Sequence, residues 1–179
     1  LNNLIGLAKV KDEVRSLENY VKVQRYREAQ GLPVNPVSYH CVFSGSPGTG
    51  KTTLARAMAN YLNNGNDNST IEMDAASHNG VESVREIVSQ ARLYPVGTKY
   101  KVFVIDECHA FSSAAWQIWL KPLEDAPAKS IFIFCTTNPE KIPATILSRV
   151  QTFQLSKISL DKIHNRLRYI VQHENAEGR

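Results

Sequence analysis

The sequence predicts an α/β fold, a parallel sheet of about five strands with helices on both faces. Three observations carry this. Short apolar runs alternate with helical periods along the chain, as strands joined by helical crossovers do. Two of the runs, KVFVIDE and SIFIFCTTN, are rich in β-branched and aromatic residues, as strands buried on both faces must be. A third, YHCVFSG, passes through a glycine-rich turn directly into a helical segment.

In chain order, VKDEVRSLENYVKVQRYREAQG sets Val10, Val14, Leu17 and Val21 at helical spacing and stops at Gly31, a C-terminal cap. LPVNP supplies two prolines and reads as a loop. YHCVFSG is the first strand, KTTLARAMANYL a helix with few breakers, and NNGNDNS a polar loop. TIEMDA is the second strand. The next helix, in SHNGVESVREIVSQARLY, is expected to start at a capping serine, Ser77. KVFVIDE follows as the third strand. SSAAWQIWLKPLEDA is helical, with Pro122 kinking it or lying close to its end. SIFIFCTTN is the fourth strand, PATILSR a short helix, VQTFQL the fifth strand and SLDKIHNRLRYIVQHE a last helix. We read residues 1–158 as one core and 159–179 as a terminal helix. No internal repeat or low-complexity tract appears.

At 179 residues, 42% hydrophobic and 21% charged, the chain has the composition of one globular domain. No apolar run is long enough to span a membrane, and LNNLIGLAKVKDEV lacks the features of a secretory signal. Cys41, Cys108 and Cys135 sit in or beside apolar segments, without a CxxC pair that would suggest zinc. They read as buried free thiols in a reducing compartment, so we expect a cytoplasmic protein with no membrane partner. A net charge of +4 permits nucleic-acid contact without arguing for it. Arg92, Lys99, Lys101, Arg166 and Arg168 are spread as on a solvated face.

The turn Gly45-Ser-Pro-Gly-Thr-Gly-Lys51-Thr52 fits G-x-x-x-x-G-K-[ST] in the required strand-to-helix setting. Gly45, Pro47, Gly48, Thr49 and Gly50 are the candidate turn residues around a phosphate, the turn's backbone N–H groups facing it and the helix's positive end behind them. Lys51 would reach the β- and γ-phosphates of ATP, Thr52 would bind Mg²⁺, and Thr53 extends the contact set. Asp106, at the end of KVFVIDE, is the second candidate for the metal, and Glu107 the candidate that orients the attacking water. Thr136, Thr137 and Asn138 follow another buried strand, where a hydroxyl or amide can touch the γ-phosphate or the water. Arg149, read from spacing alone, is a surface charge.

Residues 70 to about 158 resemble the gamma/tau clamp-loader ATPases of bacterial DNA polymerase III, which are AAA+ proteins. The matching strings are IEMDAASHNGVESVREI, YKVFVIDECHAF and FCTTNPEKIPATILSRVQTF. The resemblance implies a P-loop AAA+ core with strand order 5-1-4-3-2, Thr137 as sensor-1 residue and Arg149 as an arginine finger acting on a neighbour's ATP. It also implies AAA+ neighbours, a sliding clamp and primed DNA as partners, beside ATP and ADP. Residues 1–62, with LIGLAKVKDEVRSLENYVKVQRYREAQGL, are more similar to stage V sporulation K and CbbX-type AAA+ proteins. In both families a segment like Leu4-Ile5-Gly6 lies against the adenine. The two likenesses meet near residues 63–69, which suggests a chimera of two AAA+ halves or an excised core.

Three departures from the clamp-loader pattern stand out. A cysteine-rich zinc insert after the P-loop helix is replaced by NNGNDNS. The usual NALLKTLEEPP reads QIWLKPLEDAP, bringing in Trp116 and Trp119, which we expect in the core or a subunit contact. The expected helical lid is absent or only begun at 159–179. The leading reading is an ATP-hydrolysing clamp-loader core. A second is a chimeric or truncated scaffold that binds nucleotide with little turnover. A third takes DECH at 106–109 as a helicase box, but that needs a second domain with its own arginine. His109 is expected to pack or hydrogen-bond.

Overall fold

The computed structural model describes residues 23, 26, 27, 30–32, 39–125 and 129–177, with side chains in the last helix described to residue 172. Leu4, Ile5, Gly6 and most of the first expected helix lie outside the described residues. Its end lies within them. Gly31 has φ 67, and the Leu32 N–H reaches the Arg27 carbonyl at 2.9 Å, the closure of a glycine-capped helix.

Five strands form one sheet: β1 Cys41–Ser44, β2 Thr70–Asp74, β3 Lys101–Asp106, β4 Ser130–Thr136 and β5 Gln151–Gln154. Their order is β2-β3-β4-β1-β5, every pairing parallel, the expected 5-1-4-3-2 read from the other edge. The inner strands are buried on both faces, which is why they carry unbroken apolar runs. In β3 and β4 successive residues feed opposite cores. Phe103, Ile105, Phe132 and Phe134 face one side, and Val102, Val104, Ile131, Ile133 and Cys135 the other.

Among the described residues, one helix packs on the second of these faces. α1, Lys51–Leu62, lays Leu54, Ala55, Met58 and Ala59 on it. The first face is covered by α2 (Val81–Ala91), α3 (Ser113–Glu124) and the single-turn α4 (Ala144–Leu147). Trp116 and Trp119 are core residues. Trp119 meets Phe132 and Phe134 edge-on at centroid distances of 5.0 and 5.1 Å. A last helix, α5, spans Leu160–Glu177 and exposes Leu160, Leu167 and Val171.

Two local expectations change. Ser77 does not cap α2, whose N-cap is Gly80 in extended conformation without a side-chain bond. The Ser77 hydroxyl instead donates to Asp74 at 3.1 Å, beside the Ala76 N–H at 2.8 Å, so the serine belongs to a turn that closes β2. Pro122 lies inside α3, which runs only two residues past it, and the Asp125 N–H closes on Lys121.

The polar loop after α1 is tied down. Asn63, buried, donates to the Tyr100 carbonyl and accepts the Tyr100 N–H, both at 2.9 Å, as a strand partner would. Asn66 donates to the Gly97 carbonyl at 3.2 Å. The three cysteines are free and buried.

Candidate functional site

The parallel pairing brings the strands' C-terminal ends to one edge of the sheet, where Ser44 is level with Thr136 and Asp74 with Asp106. In open parallel sheets this is the edge where ligands bind. The glycine-rich turn leaves β1 there. At Gly45 a Cβ would fall 2.4 Å from the Leu155 carbonyl oxygen, so no side chain fits. Gly50 has φ 84 and serves as N-cap of α1 with no side-chain bond, and no acidic residue lies in the helix's first turn. A helix start left without an internal partner is a ready anion site.

Lys51 is 6% exposed, and its ammonium donates to the carbonyls of Gly45 at 2.9 Å and Ser46 at 3.2 Å. It forms no ion pair with any carboxylate among the described residues. A buried cation held only by carbonyls, next to an uncapped helix start, suits a polyphosphate. Thr49 is buried within the turn, while Pro47 and Gly48 sit exposed at its tip and Thr53 is exposed on α1.

Thr52 and Asp106 meet directly, the hydroxyl donating to Oδ2 at 2.7 Å. Asp106 Oδ1 accepts the Glu107 N–H at 2.9 Å. A carboxylate and a hydroxyl are hard oxygen donors, the type Mg²⁺ takes. Glu107 has φ 46 and ψ 40, a left-handed backbone that costs a non-glycine residue about 1–3 kcal/mol. Its Oε2 accepts from the Thr137 hydroxyl at 3.3 Å and lies 3.2 Å from His109 Nδ1. The same Nδ1 is 3.2 Å from Thr136 Oγ1, which accepts the Asn138 N–H at 3.0 Å.

Lys51, Thr52, Asp106, Glu107 and Thr137 thus lie along one strand-end edge, drawn from β1–α1, β3 and β4. Arg149 does not join them. It follows α4, and its guanidinium bonds Glu124, the Thr145 carbonyl and the Ser148 hydroxyl. The contact between His109 and Glu107 was not legible in the sequence, although their i, i+2 spacing after a strand end was the only available hint.

The sheet order, the crossover helices and the glycine-rich turn define an α/β fold of the AAA+ P-loop class. The RuvB Holliday junction branch migration motor of Thermotoga maritima has this fold, at TM-score 0.63 and 20% identity, covering 90% of this chain and 49% of that one. A DNA polymerase III gamma subunit-related protein of Thermotoga maritima matches at TM-score 0.62 and 17% identity, over 79% of this chain and 47% of that one. Residues 63–159 match the family of the DNA polymerase III delta subunit, and the chain belongs to that family. DNA polymerase III subunit tau of Bacillus subtilis is 38% identical over 160 residues, covering 78% of this chain and 28% of that protein. The tau subunit of Escherichia coli is 33% identical over 167 residues, covering 82% of this chain and 26% of that protein. The chain therefore spans little more than a quarter of these relatives' length. Both matches cover more of the chain than residues 63–179 contain, so the likeness runs into the N-terminal part. The expectation of a chimera, and of a sporulation-type first half, gains no support.

Proposed function

We propose that the chain is the nucleotide-binding core of a clamp-loader-type AAA+ subunit that hydrolyses ATP within an assembly of neighbours. The observation that carries this reading is the strand-end edge itself: a buried, carboxylate-free Lys51 beside an uncapped helix, with the Thr52–Asp106 pair and Glu107 next along. The backbone N–H groups of the turn 45–50, Pro47 excepted, and the start of α1 hold the β-phosphate, and Lys51 leaves its loop carbonyls for the β- and γ-oxygens. Thr52 and Asp106 hold Mg²⁺, which when bound supplies positive charge to the phosphate oxygens. Glu107 orients and polarises the attacking water, and Thr137 touches the γ-phosphate or that water. Leu4, Ile5 and Gly6 contact the base, and Arg149 supplies charge to ATP held by a neighbour. Residues 1–158 form the core and 159–179 begin the lid.

The larger setting rests on the resemblance and on the tau relatives: neighbouring AAA+ subunits, a sliding clamp and primed DNA, in the cytoplasm. No helix among the described residues is long and apolar enough to cross a membrane.

The test is ATP turnover by the purified chain over a wide concentration range, with Lys51→Ala and Arg149→Ala. A finger acting between subunits is worth about 10³–10⁵ in rate, so turnover per molecule rises with concentration and collapses in both variants. One observation favours a second reading, a core that binds nucleotide with little turnover: Arg149 is paired inside its own chain with Glu124. That reading requires a flat, near-zero rate together with nucleotide-dependent thermal stabilisation that Lys51→Ala abolishes.

A further inference from the structure

Glu107 leaves the strand in a strained conformation, and its side chain is 39% exposed, so neither backbone nor packing fixes where its carboxylate points. Two side chains do. Thr137 Oγ1 and His109 Nδ1 both converge on Oε2, at 3.3 and 3.2 Å. Oε1 accepts no hydrogen bond among the described residues. Two contacts on one oxygen restrain that end of the carboxylate and leave the other oxygen without a protein hydrogen bond among the described residues.

The chemistry of the ring decides what His109 is doing. An ionised carboxylate only accepts, so the close approach of Nδ1 to Glu107 Oε2, 3.2 Å, is favourable when Nδ1 carries the proton. The same nitrogen lies 3.2 Å from Thr136 Oγ1, and that hydroxyl already receives the Asn138 N–H. A proton on Nδ1 is donated to Thr136 Oγ1 and turns the positive side of the ring toward Glu107 Oε2, across the gap between the ends of β3 and β4. With the proton on Nε2 instead, Nδ1 would accept from Thr136 and repel Glu107.

We infer that His109 is a positioning residue for the hydrolytic step: through Nδ1–H it ties the β3 end to Thr136 and holds Glu107 with one carboxylate oxygen free for water. This rests on the reading of Glu107 as the residue that orients the water. His109 itself touches no substrate atom. Its side chain is 20% exposed and belongs to neither apolar core.

Two measurements test it together. In the chain labelled with ¹⁵N-histidine, in mildly alkaline solution, His109 carries its proton on Nδ1, and the preference reverts to Nε2 in Glu107→Ala. A proton on Nε2 in the parent, or a pattern that Glu107→Ala leaves unchanged, overturns the inference whether or not the chain turns over ATP. In steady-state turnover, His109→Ala lowers kcat by about tenfold while KM and the affinity for a fluorescent ATP analogue stay within about twofold. His109→Asn, which places an amide nitrogen near the position of Nδ1, restores most of the rate. An unchanged kcat in His109→Ala also overturns it. A parent that binds nucleotide through Lys51 without hydrolysing it removes the proposed ATPase reading, and the tautomer result then decides the His109 contact by itself.

Discussion

Thr52 and Asp106 stand 54 residues apart in the chain, yet the threonine hydroxyl donates to the aspartate at 2.7 Å, joining the first turn of α1 to the end of β3. The hydroxyl and carboxylate oxygens proposed to hold a metal are in direct contact. Replacing Thr52 by Val keeps the shape and removes the hydroxyl. The loss of one partly buried hydrogen bond costs about 1 kcal/mol of stability. Magnesium-dependent nucleotide affinity should fall far more, by at least about tenfold, while any magnesium-independent binding remains. Titration with a fluorescent nucleotide, with and without Mg²⁺, reads both; equal losses under the two conditions would remove Thr52 from the metal set.

Lys51 offers the opposite balance. Its ammonium is buried against two carbonyls with no carboxylate to repay the loss of hydration, so it adds little to the fold. Lys51→Ala should leave the unfolding midpoint unchanged or raise it, and abolish tight nucleotide binding. A variant that unfolds early would show that the lysine is structural.

Glu107 is held in left-handed backbone at a cost that glycine would not bear. Glu107→Gly should therefore stabilise the chain by up to about 1 kcal/mol in denaturant unfolding while eliminating turnover. Glu107→Gln should keep the fold and nucleotide binding and lose turnover. Full activity in either variant would displace Glu107 from the reaction.

His40 gives the chain a pH dependence unrelated to the site. It is buried against Phe132, its Nδ1 accepts the Phe132 N–H at 3.1 Å, and burial lowers its pKa from 6.5 to about 4. The unfolded chain takes up this proton below about pH 6.5 and the folded chain only below about 4. In that window stability falls as pH falls, by about 2 kcal/mol from this group on reaching pH 5. His40→Gln should flatten the stability profile between pH 7 and 5 by about that amount. Parallel profiles for parent and variant would show that His40 does not contribute.

Asn63 makes the fifth test. Its side chain satisfies both backbone groups of Tyr100, so Asn63→Ala leaves two buried partners unpaired and should cost about 2 kcal/mol, measured by urea unfolding. A loss below about 0.5 kcal/mol would mean that water replaces the amide.

The strands were legible because each inner strand carries an unbroken apolar run and each crossover a helical period, whereas their order came from the family resemblance. The glycine-rich turn between β1 and α1 was legible because its spacing is dictated by backbone geometry. Ser77 misled because a serine ahead of a helical run has two local uses, and the nearby Asp74 took it for a turn. His109 and Asn63 were illegible for a different reason. Each makes its decisive contact with a residue distant in the chain, Thr136 and Tyr100, through a polar side chain that leaves no periodic trace. Arg149 stayed illegible in another way: its surroundings in one chain, Glu124 and the Ser148 hydroxyl, are those of any surface arginine.

The three glycines of the turn between β1 and α1 do not face the same constraint. Around Gly48 and Gly50 there is open space, and only their positive φ resists a side chain. Asparagine tolerates that conformation, so both positions have a neighbouring residue through which sequence drift can pass. Gly45 has none. The atom in the way is the main-chain oxygen of Leu155, which no substitution at residue 155 can remove. Of the three, Gly45 is the position that a saturation library should leave empty, and the one that no second-site suppressor should recover.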